Sequence, residues 1–330
     1  MTALVTGIGY IGAALVQALL ADGELVVGLE NGFSTVPKVV ARLARQRRFT
    51  LVRGSINSVR SIERAFAGAA EASGGPVDVV YHLAAQASGH ADAAPASYTE
   101  ATNLVAPRLL FEAAARHGVR AFVYGSSFRV YGDDLSGIVE ESTPYGRFSD
   151  LSHLTKVHAE KLLEMLSSQQ TPSSVSVRLG VVYGLGPLMK SDPRFLTVPN
   201  LFCLRAASGV PLVGNPGANR PIGFIHLDDA VKALRWSATL ALTGGTGARA
   251  VNAVSEVLGV GEVAAVVERE AASRKLTTRI QGAGPLSGPR WSVASSLDAA
   301  GFRPTRMMHA SLGEVLDYYL SSQHTVDRSQ

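Results

Sequence analysis

The sequence predicts an α/β protein with a doubly wound parallel sheet, followed by a smaller and irregular C-terminal lobe. Short apolar runs rich in valine and leucine alternate with helical patterns through the first 125 residues. Strands that are apolar throughout are typical of a parallel sheet covered by helices on both faces. After about residue 180 the alternation weakens, and glycine and proline interrupt the segments 184–193, 209–221 and 282–289.

Five strands and the helices between them can be placed in order along the first part of the chain. Each apolar run is bounded by turn residues, and apolar spacing between the runs favours helices. The predicted strands are 3–6, 25–29, 49–52, 77–81 and 119–124, and the predicted helices are 11–20, 39–46, 57–72 with Asn57 as its cap, and 98–117. Because ligands bind at the carboxyl ends of parallel strands, we expect the site directly after residues 6, 30, 53, 82 and 125.

The charge balance excludes some classes of partner. The chain has 31 basic and 27 acidic residues, a formal net charge of +4. Its basic cluster, Arg42, Arg45, Arg47 and Arg48, falls at the end of a predicted helix, where a solvated surface explains it better than a nucleic acid. We therefore expect no nucleic-acid partner and a small-molecule substrate that is anionic or a sugar.

The single cysteine and the uncharged N-terminal segment bear on location. Cys203 alone rules out a disulfide framework and a cysteine-based zinc site. No charge precedes Asp22, so a signal peptide or membrane helix is an alternative for this segment. Against that alternative, no Lys or Arg precedes the apolar run and three glycines interrupt it. We expect a cytoplasmic protein with no membrane partner and no bound metal.

Those glycines form a GxGxxG pattern between the first strand and the first helix. The turn consists of Gly7, Gly9, Tyr10, Ile11 and Gly12. Glycines allow backbone N–H groups to approach a pyrophosphate, and the helix N-terminus favours an anion. Glu30 ends the second strand, 18 residues after Gly12, where a carboxylate can accept hydrogen bonds from ribose hydroxyls and repels a 2′-phosphate. The pattern predicts a Rossmann domain that binds NAD in preference to NADP.

The chain divides at the point where the alternation of strands and helices ends. We expect residues 1–180 to form the NAD-binding Rossmann domain and residues 181–330 the substrate-binding lobe, with some elements returning to the sheet. Helical patterns in the lobe lie near 228–242, 261–274 and 310–320. The polar tail after Ser321 is expected to fray.

Short motifs follow the glycine turn, each at a strand end or on a helix. They are Gly54-Ser55-Ile56, His82-Leu83-Ala84-Ala85, Asn103, Ser126-Ser127 with Val130-Tyr131-Gly132, Lys156 with Ala159-Glu160-Lys161-Leu162-Leu163, Phe224-Ile225-His226-Leu227-Asp228-Asp229, and Gly301-Phe302-Arg303-Pro304. In this combination the chain, over at least residues 2–304, resembles the extended short-chain dehydrogenases/reductases. The similarity is to the NAD-dependent epimerase/dehydratase family and its UDP-galactose 4-epimerase-like members.

The resemblance implies roles for particular residues. At the position of Ser127 the family hydrogen-bonds the reacting hydroxyl, and at that of Lys156 it binds the nicotinamide ribose and lowers the pKa of a nearby tyrosine. Further cofactor contacts are implied for Asn31, Ser55, Ile56, Leu83, Ala84, Ala85, Asn103 and Gly180. Apart from the resemblance, Arg194, Arg220 and Arg290 are candidates to bind an anionic substrate. Family members pair through helices that here lie near 98–117 and 152–168, which implies a homodimer.

The sequence departs from the family most clearly at the tyrosine, which lies four residues before the lysine. Ser152 occupies that position here. Losing a positioned general acid–base costs about 10²- to 10⁴-fold in rate. Three alternatives remain. His153 takes over the proton transfer, although its side chain is rotated about 100° around the helix from that of Ser152. Tyr145 does so from its loop, or the protein has lost redox chemistry.

Other departures concern the substrate. Phe128 and Arg129 stand where family dehydratases carry Asp-Glu and UDP-glucuronate decarboxylases keep a Glu, which argues against both reactions. Val181 replaces an Asn that contacts phosphate in the family. Ile222 stands where the family usually has an Arg, and Arg220 is displaced from that position by two residues.

Two hypotheses of function follow. The first is an NAD-dependent epimerase or oxidoreductase that acts on a sugar, in particular a nucleotide sugar, by hydride transfer at a carbinol carbon. The alternative is a dinucleotide-binding protein of the same fold with reduced or non-redox activity, working as a sensor or partner subunit. Loss of the tyrosine favours the alternative, whereas the retained Ser127 and Lys156 favour the enzyme.

Overall fold

The computed structural model describes residues 1–35, 37–88, 90, 92–148, 150–190, 192–214 and 219–322. Strands and helices alternate through the first part of this range, as predicted. The strands are β1 (Thr2–Thr6), β2 (Leu25–Glu30), β3 (Phe49–Arg53), β4 (Val79–His82), β5 (Ala121–Ser127), β6 (Gly137–Val139), β7 (Ser173–Leu179), β8 (Val181–Tyr183), β9 (Leu212–Val213), β10 (Ile222–His226), β11 (Ala248–Ala253), β12 (Glu256–Leu258), β13 (Ile280–Gln281) and β14 (Trp291–Val293).

The helices lie between these strands and at the C-terminal end of the described range. They are α1 (Tyr10–Ala21), α2 (Pro37–Leu43), α3 (Val59–Ser73), α4 (Ala96–Glu100), α5 (Ala106–Arg116), α6 (Leu151–Gln169), α7 (Val198–Ala207), α8 (Leu227–Thr243), α9 (Val260–Ser273), α10 (Ser296–Ala299) and α11 (Met308–Ser321). Among the described helices, none combines the length and apolar character needed to cross a bilayer. Most of the tail that was expected to fray, residues 323–330, lies outside the described residues.

The central sheet positions the site. Within the described residues it has seven strands in the order β3-β2-β1-β4-β5-β7-β11, and every pairing is parallel. Thr6 at the end of β1 pairs with Leu29 on one side and His82 on the other. The strand order reverses between β1 and β4, which places the switch point of a doubly wound sheet at the carboxyl end of β1. The predicted fold class is confirmed.

Two apolar layers enclose this sheet. Helices α1 and α8 cover one face, with buried residues such as Leu15, Val16 and Leu234. Helices α3, α5 and α6 cover the other face, with residues such as Phe66 and Phe111. Because both faces are covered, the strands can carry apolar residues on both sides, which explains the apolar runs in the sequence.

Two helix boundaries differ from the prediction. Helix α3 is capped by Ser58, whose Oγ accepts a hydrogen bond from the Ser61 backbone N–H at 3.3 Å, and not by Asn57. The predicted helix 98–117 is divided into α4 and α5 by a π-helical turn at Ala101–Val105. This turn contains Asn103, whose side chain bonds to neighbouring elements instead of facing solvent.

The second half of the chain forms a smaller layer with its own core. Helices α7, α9 and α11 pack together through buried residues that include Phe202, Val263 and Leu312. Strands β12, β10 and β8 form a separate small sheet. Two elements return to the Rossmann core, since β11 pairs with β7 and α8 packs on β5 and β7. The division at residue 180 stays a prediction.

Candidate active site

A cleft of about 570 Å³ lies along the carboxyl edge of the central sheet. Each strand end expected to border a ligand contributes a nearby lining residue: Gly7, Glu30, Gly54, Leu83 and Ser126. Further lining residues follow β7 in the second half of the chain, between Gly180 and Asn200. The cleft therefore lies at the strand-order reversal, between the sheet and the smaller layer.

The glycine turn has little room for side chains on its protein side. Gly7 has φ +81°, and a Cβ there would lie 2.6 Å from the backbone of Ala84. A Cβ on Gly12 would collide with the carbonyl of Gly7. Gly9 differs, because a Cβ there would meet nothing within 4 Å. Gly9 is also the N-cap of α1, so this helix end has no side chain that caps it. The first N–H groups of α1 therefore face an open cleft, where an anion can bind them.

Glu30 connects two loops at the edge of the cleft. Its Oε2 accepts a hydrogen bond from the Ile8 backbone N–H at 2.7 Å, and its Oε1 accepts one from Gly32 at 2.6 Å. Thr35 Oγ1 also donates to Oε1, at 3.4 Å. A carboxylate has about four lone-pair positions, so one remains for another donor. Glu30 thus holds the glycine turn in place and still lines the cleft.

Asn103 and His82 are internal supports. The Asn103 amide bridges the backbone N–H and carbonyl of Gln86, at 2.9 and 2.8 Å, and donates to Thr155 Oγ1 at 3.1 Å. His82 Nδ1 lies 2.8 Å from Thr6 Oγ1, and burial lowers the pKa of its imidazole to about 3. These contacts fix the loop after β4, while neither side chain is among the residues that line the cleft.

Lys156 projects from α6 into the cleft. Its Nζ donates to the Gly125 carbonyl at 2.6 Å and lies 4.8 Å from the centre of the Tyr124 ring. Burial lowers the pKa of this ammonium to about 8, although Glu160 one turn later opposes the shift. A buried cation with this pKa can exchange a proton near neutral pH.

Ser127 ends β5 beside this lysine. Its Oγ accepts a hydrogen bond from the Arg129 backbone N–H at 3.3 Å, and the half-buried side chain lines the cleft. Strand β5 and helix α6 thus bring Ser127 and Lys156 to one wall. Among the described residues at this wall, Lys156 is the side chain that titrates near neutrality.

The residue in the tyrosine position faces elsewhere. Ser152 is buried on α6, and its Oγ donates to the Gln86 carbonyl at 3.4 Å. It is not among the residues that line the cleft. A serine side chain is also too short to reach from this helix as a phenol would.

The two candidate replacements for the tyrosine are held in other contacts. His153 Nδ1 lies 2.5 Å from Oδ2 of Asp150, the N-cap of α6. Tyr145 donates to Glu160 Oε2 at 3.0 Å and accepts a hydrogen bond from Arg178 at 3.3 Å. Burial, with the Glu160 charge, raises the pKa of the Tyr145 phenol. The structure does not bring either side chain to the cleft, so their catalytic roles stay predictions without support from position.

The three arginines predicted to contact substrate are already paired. Arg194 lines the cleft, but its Nη2 lies 2.7 Å from Asp192. Arg290 pairs with Glu262 at 2.8 Å, and Arg220 lies 3.6 Å from Asp134. Arg220 and Arg290 are not among the lining residues.

The structure gathers most of the predicted cofactor residues. Those that line the cleft are Gly7, Gly9, Tyr10, Ile11, Gly12, Glu30, Asn31, Ile56, Leu83, Ala84, Ala85, Lys156 and Gly180. Ser55 does not line it, because its Oγ instead accepts a hydrogen bond from the Asn57 N–H at 3.1 Å. The Tyr10 hydroxyl links the two halves of the chain, because it donates a hydrogen bond to the Gly184 carbonyl at 2.5 Å.

The sequence did not predict an aromatic group and a lysine that line the cleft. Phe33 stacks on Tyr98 with ring centres 4.4 Å apart and meets Phe195 edge-on at 6.3 Å. Lys190 lies over the Phe195 ring at 5.1 Å. These residues come from three distant segments and belong to no motif, so the sequence holds no signal that joins them.

The sheet order and the glycine-lined cleft at its carboxyl edge define a Rossmann-type α/β protein. The sequence profile of the NAD dependent epimerase/dehydratase family matches residues 3–276. The chain therefore belongs to the NAD dependent epimerase/dehydratase family, as the resemblance predicted.

Individual relatives agree with this family. A Bacillus subtilis (strain 168) protein described as an uncharacterized UDP-glucose epimerase is 30% identical over 203 residues, or 59% of this chain and 60% of that protein. The chain spans about half the length of the curated relatives it matches.

Solved structures extend the similarity over nearly the whole chain. The UDP-glucose 4-epimerase of Thermus thermophilus, crystallised with NAD, has a TM-score of 0.79 and 25% identity, and the match covers 98% of this chain and 100% of that one. The enzyme of Bifidobacterium longum, crystallised with NAD⁺ and UDP, has a TM-score of 0.83 at 19% identity over 99% and 100%, a likeness of fold alone.

Proposed function

We propose that the protein is an NAD-dependent epimerase or oxidoreductase that acts on the sugar of a nucleotide sugar by hydride transfer at a carbinol carbon. The observation that carries the proposal is one cleft that joins the glycine turn and Glu30 to Ser127 and Lys156. The names of the similar proteins, UDP-glucose epimerases among them, support the substrate class. They favour the enzyme over the sensor alternative.

The residues present fit NAD. The open space at Gly9 and the unbonded N-terminus of α1 suit a pyrophosphate, and Glu30 suits the adenine ribose. Lys156 would donate to the nicotinamide ribose in place of the Gly125 carbonyl. When bound, the nicotinamide supplies the acceptor and donor of hydride. Glu30 argues for NAD over NADP because its charge repels a 2′-phosphate.

The chain's own residues then handle the proton. Ser127 Oγ hydrogen-bonds the reacting hydroxyl and orients it. We assign Lys156, through Ser127, as the group that takes and returns the hydroxyl proton in the absence of a tyrosine. Its burial supports this role, because an amine with a pKa of about 8 is partly neutral near pH 7. Ser152, His153 and Tyr145 lie in other contacts.

A homodimer in the cytoplasm completes the proposal. Leu154 and Met165 lie on one face of α6 and are 51% and 49% exposed, and Val105 on the adjacent turn is 53% exposed. Apolar side chains grouped in this way suit contact with a second copy. The cytoplasmic location stays a prediction from the lone cysteine.

The proposal is tested by the chemistry of the purified protein. The nucleotide released on denaturation is identified by mass spectrometry, and interconversion of UDP-glucose and UDP-galactose is followed by chromatography. We expect NAD and slow interconversion, with Ser127→Ala lowering turnover about 10²-fold and leaving NAD content unchanged. Ser168→Ala is the control, because Ser168 is exposed on α6, outside the cleft lining, and bonds to the Met165 carbonyl. Full activity of Ser127→Ala would contradict the assigned chemistry, and NAD binding with no turnover on any nucleotide sugar would favour the sensor.

A further inference from the structure

Lys190 is a cation in the cleft that forms no ion pair with any described residue. The side chain is half-buried, lines the cleft, and lies with Nζ over the face of Phe195. Among the described residues, no carboxylate lies within 4.0 Å of its Nζ, and none offers it a hydrogen-bond acceptor.

The other cations of the cleft are occupied. Lys156 donates to the Gly125 carbonyl. Arg194 binds Asp192 through two nitrogens, with Nη2 at 2.7 Å from Oδ2 and Nε at 3.1 Å from Oδ1. The negative charge of Asp192 favours the charged form of Lys190, but the Asp192 carboxylate is hydrogen-bonded to Arg194. Burial lowers the pKa of Lys190, which is the cost expected of a desolvated ammonium without a partner.

The loop that carries Lys190 is pressed against the start of α1. A Cβ on Gly186 would lie 3.0 Å from the Tyr10 ring, and the Gly186 N–H bonds to Met189 Sδ at 3.3 Å. The Tyr10 hydroxyl holds the same loop through Gly184. Lys190 thus lines the same cleft as the glycine turn, on a loop that contacts the turn's helix.

We propose that Lys190 binds a phosphate of a diphosphate ligand in this cleft. The inference rests on the proposed function, under which two ligands carry a diphosphate group. These are the dinucleotide, through its pyrophosphate, and the nucleotide sugar. An ammonium has three donors, and none of the described residues accepts one from Lys190, so a phosphate oxygen suits it. The ring face of Phe195 keeps the ammonium oriented. A bound phosphate supplies the counter-charge that the described part of the chain does not place on Lys190.

The test measures binding of NAD⁺ and of UDP by calorimetry to the wild-type protein and to Lys190→Gln and Lys190→Arg. Apoprotein is used for NAD⁺ and NAD-loaded protein for UDP. Lys161→Gln is the matched control, because Lys161 is exposed and paired with Glu164. We expect Lys190→Gln to weaken one of the two ligands by about 10- to 100-fold, Lys190→Arg to restore most of that affinity, and Lys161→Gln to change neither.

The outcome also identifies the source. A loss confined to NAD⁺ assigns Lys190 to the dinucleotide, and a loss confined to UDP assigns it to the substrate. Unchanged affinities in a Lys190→Gln variant that melts at the wild-type temperature overturn the inference and leave the proposed function standing. If the wild-type protein binds neither ligand, the proposed function fails and the inference fails with it.

Discussion

Glu30 performs a structural and a recognition task with one carboxylate. Its bonds to the N–H groups of Ile8 and Gly32 hold two loops in the shape that forms one end of the cleft. The same charge stands where the adenine ribose of NAD is proposed to bind. A change at this residue therefore acts on the loops and on the ligand together, and an experiment must separate the two.

We expect Glu30→Gln to change the preference for NAD(H) over NADP(H) more than it changes the stability of the fold. Glu30→Gln keeps an acceptor oxygen for one N–H group and removes the charge. NAD(H) affinity should fall about tenfold, since a hydrogen bond to a charged group contributes about 1.5–3 kcal/mol, whereas NADP(H) affinity should be unchanged or improved. Calorimetry with both dinucleotides measures this, and Glu71→Gln on the exposed side of α3 is the control. Tighter binding of NADP(H) than NAD(H) to the wild-type protein would refute the role of Glu30.

Lys156 gives the pH dependence of the proposed reaction. Oxidation of the alcohol needs the neutral amine, and below a pKa of about 8 the ammonium dominates. We therefore expect kcat/KM to rise up to about tenfold per pH unit below 8 and to level off above it. Lys156→Arg keeps the donor and the charge but cannot titrate, so it should lose about 10²- to 10⁴-fold in rate and the inflection near pH 8. Rates from about pH 6 to 9.5 with Lys161→Arg as control test this, and the same inflection in Lys156→Arg would mean that another group titrates.

At the scale of elements, the turn from β1 into α1 depends on missing side chains. Gly7 combines φ +81° with a close approach to Ala84, whereas Gly74, at the end of α3, has φ +70° and open space around it. A substitution at either glycine would create the same kind of backbone strain, but only at Gly7 would it also meet a crowded neighbour. Comparing the two therefore separates the cost of backbone strain from the cost of crowding.

We expect Gly7→Ala to cost more stability than Gly74→Ala. The left-handed conformation costs a non-glycine residue about 1–2 kcal/mol, which both variants share. The contact of the Gly7 Cβ with the Ala84 backbone adds about 1 kcal/mol or more and moves the turn. Urea unfolding of both variants measures the difference, and equal losses would show that the turn relaxes freely.

The elements also show what a sequence can predict. The strands of the first half are predicted well because burial on both faces leaves a mainly apolar run in each of them. The cap of α3 was misplaced by one residue because Asn57 and Ser58 are both capping types and only geometry distinguishes them. The π-helical turn around Asn103 arises from contacts with Gln86 and Thr155, which local periodicity does not encode.

The candidate site follows the same division. The strand ends and the glycine turn were predictable because topology sends them to one edge. The aromatic group of Phe33, Tyr98 and Phe195 was not predictable, since its contacts join segments far apart in the chain. Lys190 lies over Phe195 but belongs to no motif that marks it as a ligand. Tyr145, a candidate to replace the missing tyrosine, is held by hydrogen bonds to Glu160 and Arg178. No pattern in the sequence reveals these bonds.

At the scale of the whole molecule, the exposed apolar face of α6 carries the expectation of a dimer. Leu154→Glu places a charge in that face and should shift the protein to a monomer, measured by light scattering after gel filtration. Trp236→Glu on α8, where Trp236 is 40% exposed, is the control and should leave the mass unchanged. A monomeric wild-type protein would contradict the proposal directly.

The return of β11 to the sheet has a consequence for synthesis on the ribosome. Strand β7 is buried along its whole length, and β11 and α8 supply part of that cover. When residue 180 has just emerged, β7 is an uncovered edge strand, the kind of surface that pairs with other chains. That edge closes only after β11, which ends at Ala253, has also emerged. The N-terminal half is thus a poor unit for independent expression, although its sequence pattern looks complete.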